Sequence, residues 1–218
     1  MKLKLDCVSD LHLYFGPELE GGDILCIAGD ISYVGKAIDF AEFNYWLGKH
    51  KDKYKAIAFT PGNHDWLAQT NPSLAKGLLM NATHYLLDEP SKILGLNFYG
   101  SPRTPEFNQW AFNEPRGEGL KKWWDRIPKN TDVLLTHGVP YGIMDECPDI
   151  IDPSKLVHVG DEELLKAIYR LKPKLCIGGH IHEGHGRVDK DGIIFVNASI
   201  MDGDYKPVNK PITIYLEK

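Results

Sequence analysis

The stretch CIGGHIHEGHG, residues 176–186, places three histidines within six residues just behind a short apolar run. Imidazole at that density points to a metal site or a proton transfer, because a core has no need of it and a solvated loop rarely selects it. Polar groups of the same kind recur along the chain. An apolar run at 2–9 ends in Ser9-Asp10-Leu11-His12, and one at 23–29 ends in Gly29-Asp30. The run at 55–62 leads into Gly62-Asn63-His64-Asp65, the run at 132–138 closes on Thr136-His137-Gly138, and the run at 174–180 delivers Gly178-Gly179-His180-Ile181-His182. Taken singly, Asp10, Asp30 and Asn63 read as turn or cap residues, and His12, His137, His180 and His182 as satisfied core histidines. Five successive run ends carrying Asp, His or Asn point instead to one site. In Asp10-x-His12 and His180-x-His182 the two side chains share a face in extended backbone, and a bend just past a strand also converges them.

The elements that must position these groups are legible in outline. The five runs have the length and apolar character of buried strands in an α/β sheet. Residues 35–50 put Ile38, Phe40, Ala41, Phe43, Trp46 and Leu47 near helical spacing. Residues 161–172 predict a second helix, with Asp161 as N-cap and Glu162 and Glu163 in the first turn. A hairpin over 187–199 turns at Asp191-Gly192, and 92–101 adds a pair of short strands. The longest irregular stretches, 101–116 and 145–160, both carry prolines. Loops of that length in a compact domain are functional or mobile. Functional groups in such proteins collect beyond the carboxyl ends of strands, where all five polar clusters lie.

Composition bounds the function. At 218 residues, 43% hydrophobic and 25% charged, the chain can bury a sizeable core and reads as one domain over 1–218. A net charge of −5 argues against a partner of long nucleic acid. It leaves nucleotide substrates open, since a bound metal adds local positive charge. No apolar run reaches membrane-spanning length, and the start MKLKLDCVSD is too charged for a signal peptide. Four cysteines without a C-x-x-C pair read as reduced thiols in a cytoplasmic protein.

The series Asp10-x-His12, Gly29-Asp30, Gly62-Asn63-His64-Asp65, His137 and Gly179-His180-x-His182 resembles the calcineurin-like metallophosphoesterase superfamily, in the family's order and across residues 8–182. FNYWLG (43–48), YGSPRTPEFNQWAFNEPRG (99–117), THGVPYGIMD (136–145) and HIHEGHG (180–186) resemble its small metallophosphoesterase-domain-containing branch, as do VNASI and KPVNKPITI within 196–214. Some animal members of that branch carry Gly where this chain has His180. The resemblance implies an α/β/β/α sandwich of four layers with two central mixed sheets. It also implies two divalent ions, with Asp10, His12 and His182 on the first, Asn63, His137 and His180 on the second, and Asp30 bridging both. Imidazole and oxygen donors suit Mn, Fe, Zn or Co, and Mn is the ion expected to serve in vitro. Such a pair clamps a phosphate, lowers the pKa of a water and guides in-line attack on phosphorus. His64 is then left to act on the substrate as a catalytic residue beside Asp30, and Asp65 to order the loop.

The implied activity is a phosphodiesterase on small nucleotides, with 2′,3′- or 3′,5′-cyclic nucleotides as the leading class. A phosphomonoesterase on nucleotides or phosphoproteins and a non-catalytic metal- or nucleotide-binding scaffold are the rivals. The absence of arginine from the ligand blocks leans toward diesters, and the full ligand set argues against a scaffold. In the 101–116 loop, Arg103, Asn113 and Arg116 are candidate substrate contacts. Phe107, Trp110 and Phe112 could stack on a base or simply pack the loop. Trp123 and Trp124 place at least one core residue on a helix. His185 reads as a supporting or surface residue, His50, His84 and His158 have no assigned role, and Asn197 and Ser199 are candidates to brace the site.

Overall fold

The computed structural model describes residues 2–218. Alternate residues of the apolar runs face opposite ways, and each face meets a different partner. Strands β1 (Lys2–Val8), β2 (Gly22–Ala28), β3 (Tyr54–Thr60) and β4 (His84–Tyr85) lie parallel in one sheet, with β15 (Ile212–Glu217) antiparallel beside β1. A second sheet comprises β5 (Glu89–Ile93), β6 (Leu96–Ser101), β9 (Val133–Thr136), β12 (Leu175–Gly178), β13 (Gly186–Lys190) and β14 (Ile193–Asn197). Its strand order is β13-β14-β12-β9-β6-β5. The four middle strands are parallel and the edge strands β5 and β13 antiparallel, so both sheets are mixed.

Leu5, Cys7, Ile24, Cys26 and Ala58 of the first sheet meet Phe98, Val133, Leu135, Leu175 and Ile177 of the second in one buried cluster. The intervening residues Leu25, Ile27, Ile57 and Phe59 turn outward onto Phe40, Phe43, Trp46 and Leu47 of helix α1 (Ala37–His50). The short helices α2 (Trp66–Thr70) and α3 (Pro72–Leu78) extend that layer through Ala68 and Ala75. On the far side, Leu134, Cys176 and Phe195 pack against α4 (Glu118–Trp124) and α5 (Glu162–Leu171) through Leu120, Trp124, Leu164 and Ile168. The result is the four-layer α/β/β/α sandwich, with continuous apolar strands because both faces of each sheet are covered.

The details follow the sequence closely in places. Helix α1 starts at Ala37, where the Asp39 carboxylate accepts from the Lys36 amide at 2.9 Å. Asp161 caps α5 by accepting from the Glu163 amide at 2.8 Å. The β13–β14 hairpin turns at Asp191 and Gly192, both with positive φ as a two-residue hairpin turn requires. The 92–101 pair is longer than its sequence suggests, because β5 begins at Glu89. The two proline-bearing stretches are not wholly irregular. The first contains the two-residue strands β7 (Thr104–Pro105) and β8 (Asn113–Glu114). The second forms an antiparallel ribbon of β10 (Glu146–Pro148) and β11 (Leu156–His158). Such short pairs leave too little alternation to register as strands. Among the described residues, no helix is long and apolar enough to cross a membrane.

Asp161 does two jobs, since its second oxygen accepts from Trp124 Nε1 at 2.6 Å and so ties α4 to α5. Asp161→Ala removes a cap and orphans a buried indole N–H. The expected loss is about 3 kcal/mol, read as a lower urea midpoint at unchanged slope.

Candidate metal centre

The carboxyl ends of β1, β2 and β3 meet those of β9 and β12 along one edge of the sandwich. Ser9 links the sheets there: its amide donates to Ala198 O and its carbonyl accepts from Ile200 N, both at 2.9 Å. Just past the strands the backbone bends sharply, and Asp10, His12, Asp30 and His180 all have positive φ, between 40° and 67°. Bending rather than extension is therefore what converges Asp10 with His12. Two glycines make room for the carboxylates. A Cβ on Gly62 would collide with the Asp30 carboxylate, and one on Gly179 with that of Asp10.

Two groups of ligand atoms result. Asp10, His12 and His182 present theirs within 4.8 Å of one another, and so do Asp30, His137 and His180. Asp30 lies between the groups: its Oδ2 is 3.3 Å from His137 Nε2, 3.9 Å from His12 Nε2 and 4.0 Å from His64 Nε2. Its Oδ1 accepts from the His64 amide at 2.8 Å, which leaves Oδ2 to face the imidazoles. Asn63 Oδ1 sits 2.8 Å from His137 Nε2, in line with the second group.

The rings are oriented from behind. Nδ1–H of His12 donates to Ser32 O at 3.0 Å, of His64 to Tyr33 O at 2.7 Å, of His137 to Ala28 O at 2.7 Å, and of His182 to Asp202 O at 3.0 Å. A carbonyl can only accept, so Nδ1 carries a proton and Nε2 is turned into the site. His12 Nε2 is buried without any hydrogen-bond partner. A buried, unpartnered lone pair beside two carboxylates fits a divalent cation.

Asp65 accepts from the amides of Gly62 at 2.8 Å, Asp30 at 3.0 Å and Ile31 at 3.2 Å, and so fixes the loops bearing Asp30 and Asn63. Asn197 Nδ2 donates to Ile181 O at 2.7 Å, bracing the loop between His180 and His182. His185 belongs to neither ligand group. Sequence reasoning missed Tyr205, whose ring centroid lies 4.9 Å from that of His12 and 4.8 Å from that of His182. It missed Tyr33 too, stacked 5.2 Å from His12. Tyr33 follows the Asp30 block by three residues, the one hint available, and nothing in the local sequence distinguishes Tyr205.

Charge organises the site. Burial favours neutral Asp30 and Asp10, yet neighbouring histidines outweigh it. Asp30 is held well below the usual carboxylate range, chiefly by His137, and Asp10 is brought to about 2 by His182. Burial likewise disfavours imidazolium at His137, but Asp30 raises it to about 9. His12 falls to about 4 and His180 to about 3, mainly through burial.

Residues 4–184 match the calcineurin-like phosphoesterase family. The chain belongs to that family. It is 37% identical over 235 residues to the human metallophosphoesterase domain-containing protein 1, covering 96% of this chain and 70% of the human one. It is 32% identical to UPF0046 protein K07C11.7 of Caenorhabditis elegans, covering 99% and 76%. The fold is shared with the crystal structure of TT1561 from Thermus thermophilus, at a TM-score of 0.61 and 16% identity over 90% of this chain and 89% of that one. This phosphoesterase is accordingly a metal-dependent hydrolase of phosphoric esters, and its two ligand groups are where divalent ions fit.

The candidate substrate residues of this phosphoesterase divide. A cleft of about 820 Å³ opens over the ligand groups, lined at its floor by Asp30, Asn63, His64, His180 and His182. Arg116 lines it, whereas Arg103 and Asn113 do not. Arg103 is turned onto Asp88 at 2.9 Å and Glu114 at 3.2 Å, with its guanidinium 3.6 Å from the Trp123 ring centre. Asn113 shapes its own loop, accepting from the amides of Phe107 at 3.2 Å and Trp110 at 3.0 Å. Of the three aromatics in that loop, Phe107 and Trp110 face the cleft while Phe112 is buried in the helix-side core. Trp124 is the core tryptophan of its pair.

At neutral pH the metal-free site keeps a proton on His137, and a metal must displace it. Because that pKa is raised, apparent metal affinity should climb between pH 7 and 9, roughly tenfold per unit for one proton, and flatten above. Titration calorimetry in buffers of different ionisation enthalpy would count the released proton.

Proposed function

We propose that this phosphoesterase is a phosphodiesterase acting on small nucleotides, cyclic nucleotides foremost. The observation that carries the reading is the make-up of the cleft, which joins the ligand groups to the faces of Phe107 and Trp110. An aromatic face accepts a base of any sequence. Among the described residues its one lining arginine is already engaged, Arg116 donating to Gly160 O and Glu162 at 2.7 Å and to Val159 O at 2.6 Å. A phosphomonoester dianion asks for more free positive charge than this cleft offers, and a diester monoanion does not.

In this reading Asp10, His12 and His182 would hold one ion and Asn63, His137 and His180 the other, with Asp30 serving both. Two ions held there would supply Lewis acidity and a water of lowered pKa; manganese, iron, zinc or cobalt suits the donors. The chain does the rest. His64 stands at the cleft with Nδ1–H fixed by Tyr33 O and Nε2 toward the reacting end, placed to hand a proton to the leaving alkoxide. Its ring lies against Trp110, centroids 4.1 Å apart, and Asn113 holds the Trp110 backbone. Asn113 and Trp110 thus act as positioning residues for His64.

The decisive assay titrates Mn²⁺ into stripped protein and follows bis(p-nitrophenyl) phosphate beside p-nitrophenyl phosphate. Diester hydrolysis that rises with Mn²⁺ and exceeds the monoester rate is expected. A monoester preference would make the protein a phosphatase, and silence on both at full occupancy would make it a scaffold. Asp30→Ala should lose metal and activity together. His64→Ala should retain both ions, by elemental analysis, while turnover of esters with poor leaving groups drops about 10²–10⁴-fold. Trp110→Ala should cost most on esters with poor leaving groups and little on p-nitrophenyl esters, because only the former need the proton from His64.

A further inference from the structure

The cleft is far larger than a phosphate, and a run of apolar side chains lines it away from the ligand groups. Pro105 and Phe107 form one wall, and Pro148, Ile150, Ile151 and Val157 of the β10–β11 ribbon form the other. Ile150 and Ile151, at the ribbon tip, are 78% and 94% exposed. Adjacent isoleucines that bare belong to a surface meant to be covered. The tip is a built turn: Asp149 Oδ1 accepts from the amides of Ile151 and Asp152, both at 2.8 Å. The base of the ribbon is fastened as well. Buried Asp145 takes His158 Nδ1 at 2.7 Å, Gly160 N at 2.9 Å and Gly142 N at 3.0 Å. From the opposite wall, Arg116 bonds the carbonyls of Val159 and Gly160, so it joins the aromatic loop to the ribbon.

We propose that these two walls form a subsite for the apolar organic group of the ester, with Ile150, Ile151 and Phe107 as its specificity-determining contacts; this rests on the phosphodiesterase reading above. The metal-side floor is continuous with the walls, so a phosphoryl group held there projects its substituent between them. Charge limits what that substituent can be. Glu106, Asp149 and Glu183 line the cleft, and among the described residues its one lining cation is the committed Arg116. A second phosphate would meet carboxylates, whereas an uncharged aromatic or aliphatic group would bury the isoleucines.

The test compares kcat and KM of the Mn-loaded enzyme on bis(p-nitrophenyl) phosphate and methyl p-nitrophenyl phosphate. Both are monoanions with the same leaving group, and they differ in the size of the group left behind. Variants are Ile150→Ser with Ile151→Ser and, on the opposite wall, Phe107→Ser; all three side chains are exposed, so folding is not at stake. Each variant should raise KM for the bis-aryl ester about tenfold while the methyl ester changes less than about twofold. Equal losses on both esters, or no loss on either, would overturn the subsite. Wild-type enzyme that turns over p-nitrophenyl phosphate but neither diester would instead overturn the phosphodiesterase reading, and the subsite with it.

Discussion

A carboxylate with 2% of its surface exposed stays ionised only if positive charge or N–H donors surround it. Asp30 is that carboxylate, and much of the site can be understood as its support. One oxygen is anchored by the His64 amide, the other is left to the imidazoles, and its own amide is held by Asp65. Asp65 is equally buried; burial and then the charge of Asp30 push its acid up, while backbone amides pull it down. The proton on His137 therefore stands where a cation belongs. The histidines beside them are what let Asp10 and Asp30, at the ends of two adjacent strands, stay ionised in the interior.

The sandwich makes this possible in backbone terms. Two sheets packed face to face bring five carboxyl-terminal strand ends to one edge, and the sheets do not shift independently because Ser9 is bonded to the strand-end segment at Ala198 and Ile200. Four ligand residues sit in left-handed backbone, a region L-residues enter at a cost. Asp tolerates it better than most, histidine less well. Such strain persists only where surrounding structure over-determines it, and here strands on both sides and the buried carboxylates do so.

Much of this is legible in the sequence. Continuous apolar runs identify the strands because both faces of each are covered, and the polar residues ending them are the ones that converge in the two groups. Asp161 announces its helix, and Asp191-Gly192 its hairpin. The ribbon at 145–160 is not legible, since Pro148 and Pro153 mask its short strands and Ile150-Ile151 has no period. Strand β15 escapes notice although its burial alternates, because no chemistry lies near it. The substrate residues are the least legible. Arginine side chains reach far, and the sequence does not say that Asp88 and Trp123 claim Arg103, or that backbone carbonyls claim Arg116. Tyr205 enters the site through a turn anchored by Asp202, a purely tertiary fact.

The spacing of the ligands along the chain has a further consequence for biogenesis. Asp10 and His182 belong to the same group, yet the amide of His180 must travel 170 residues of contour to reach the Asp10 carboxylate. On a growing chain Asp10 and His12 are made long before His182, so the group they share stays open until then. The first group therefore closes only after β12 is made, with β13, β14 and β15 still to follow. Once made, the bond works as a clasp between the ends of β1 and β12, removing much of the freedom an open chain would have.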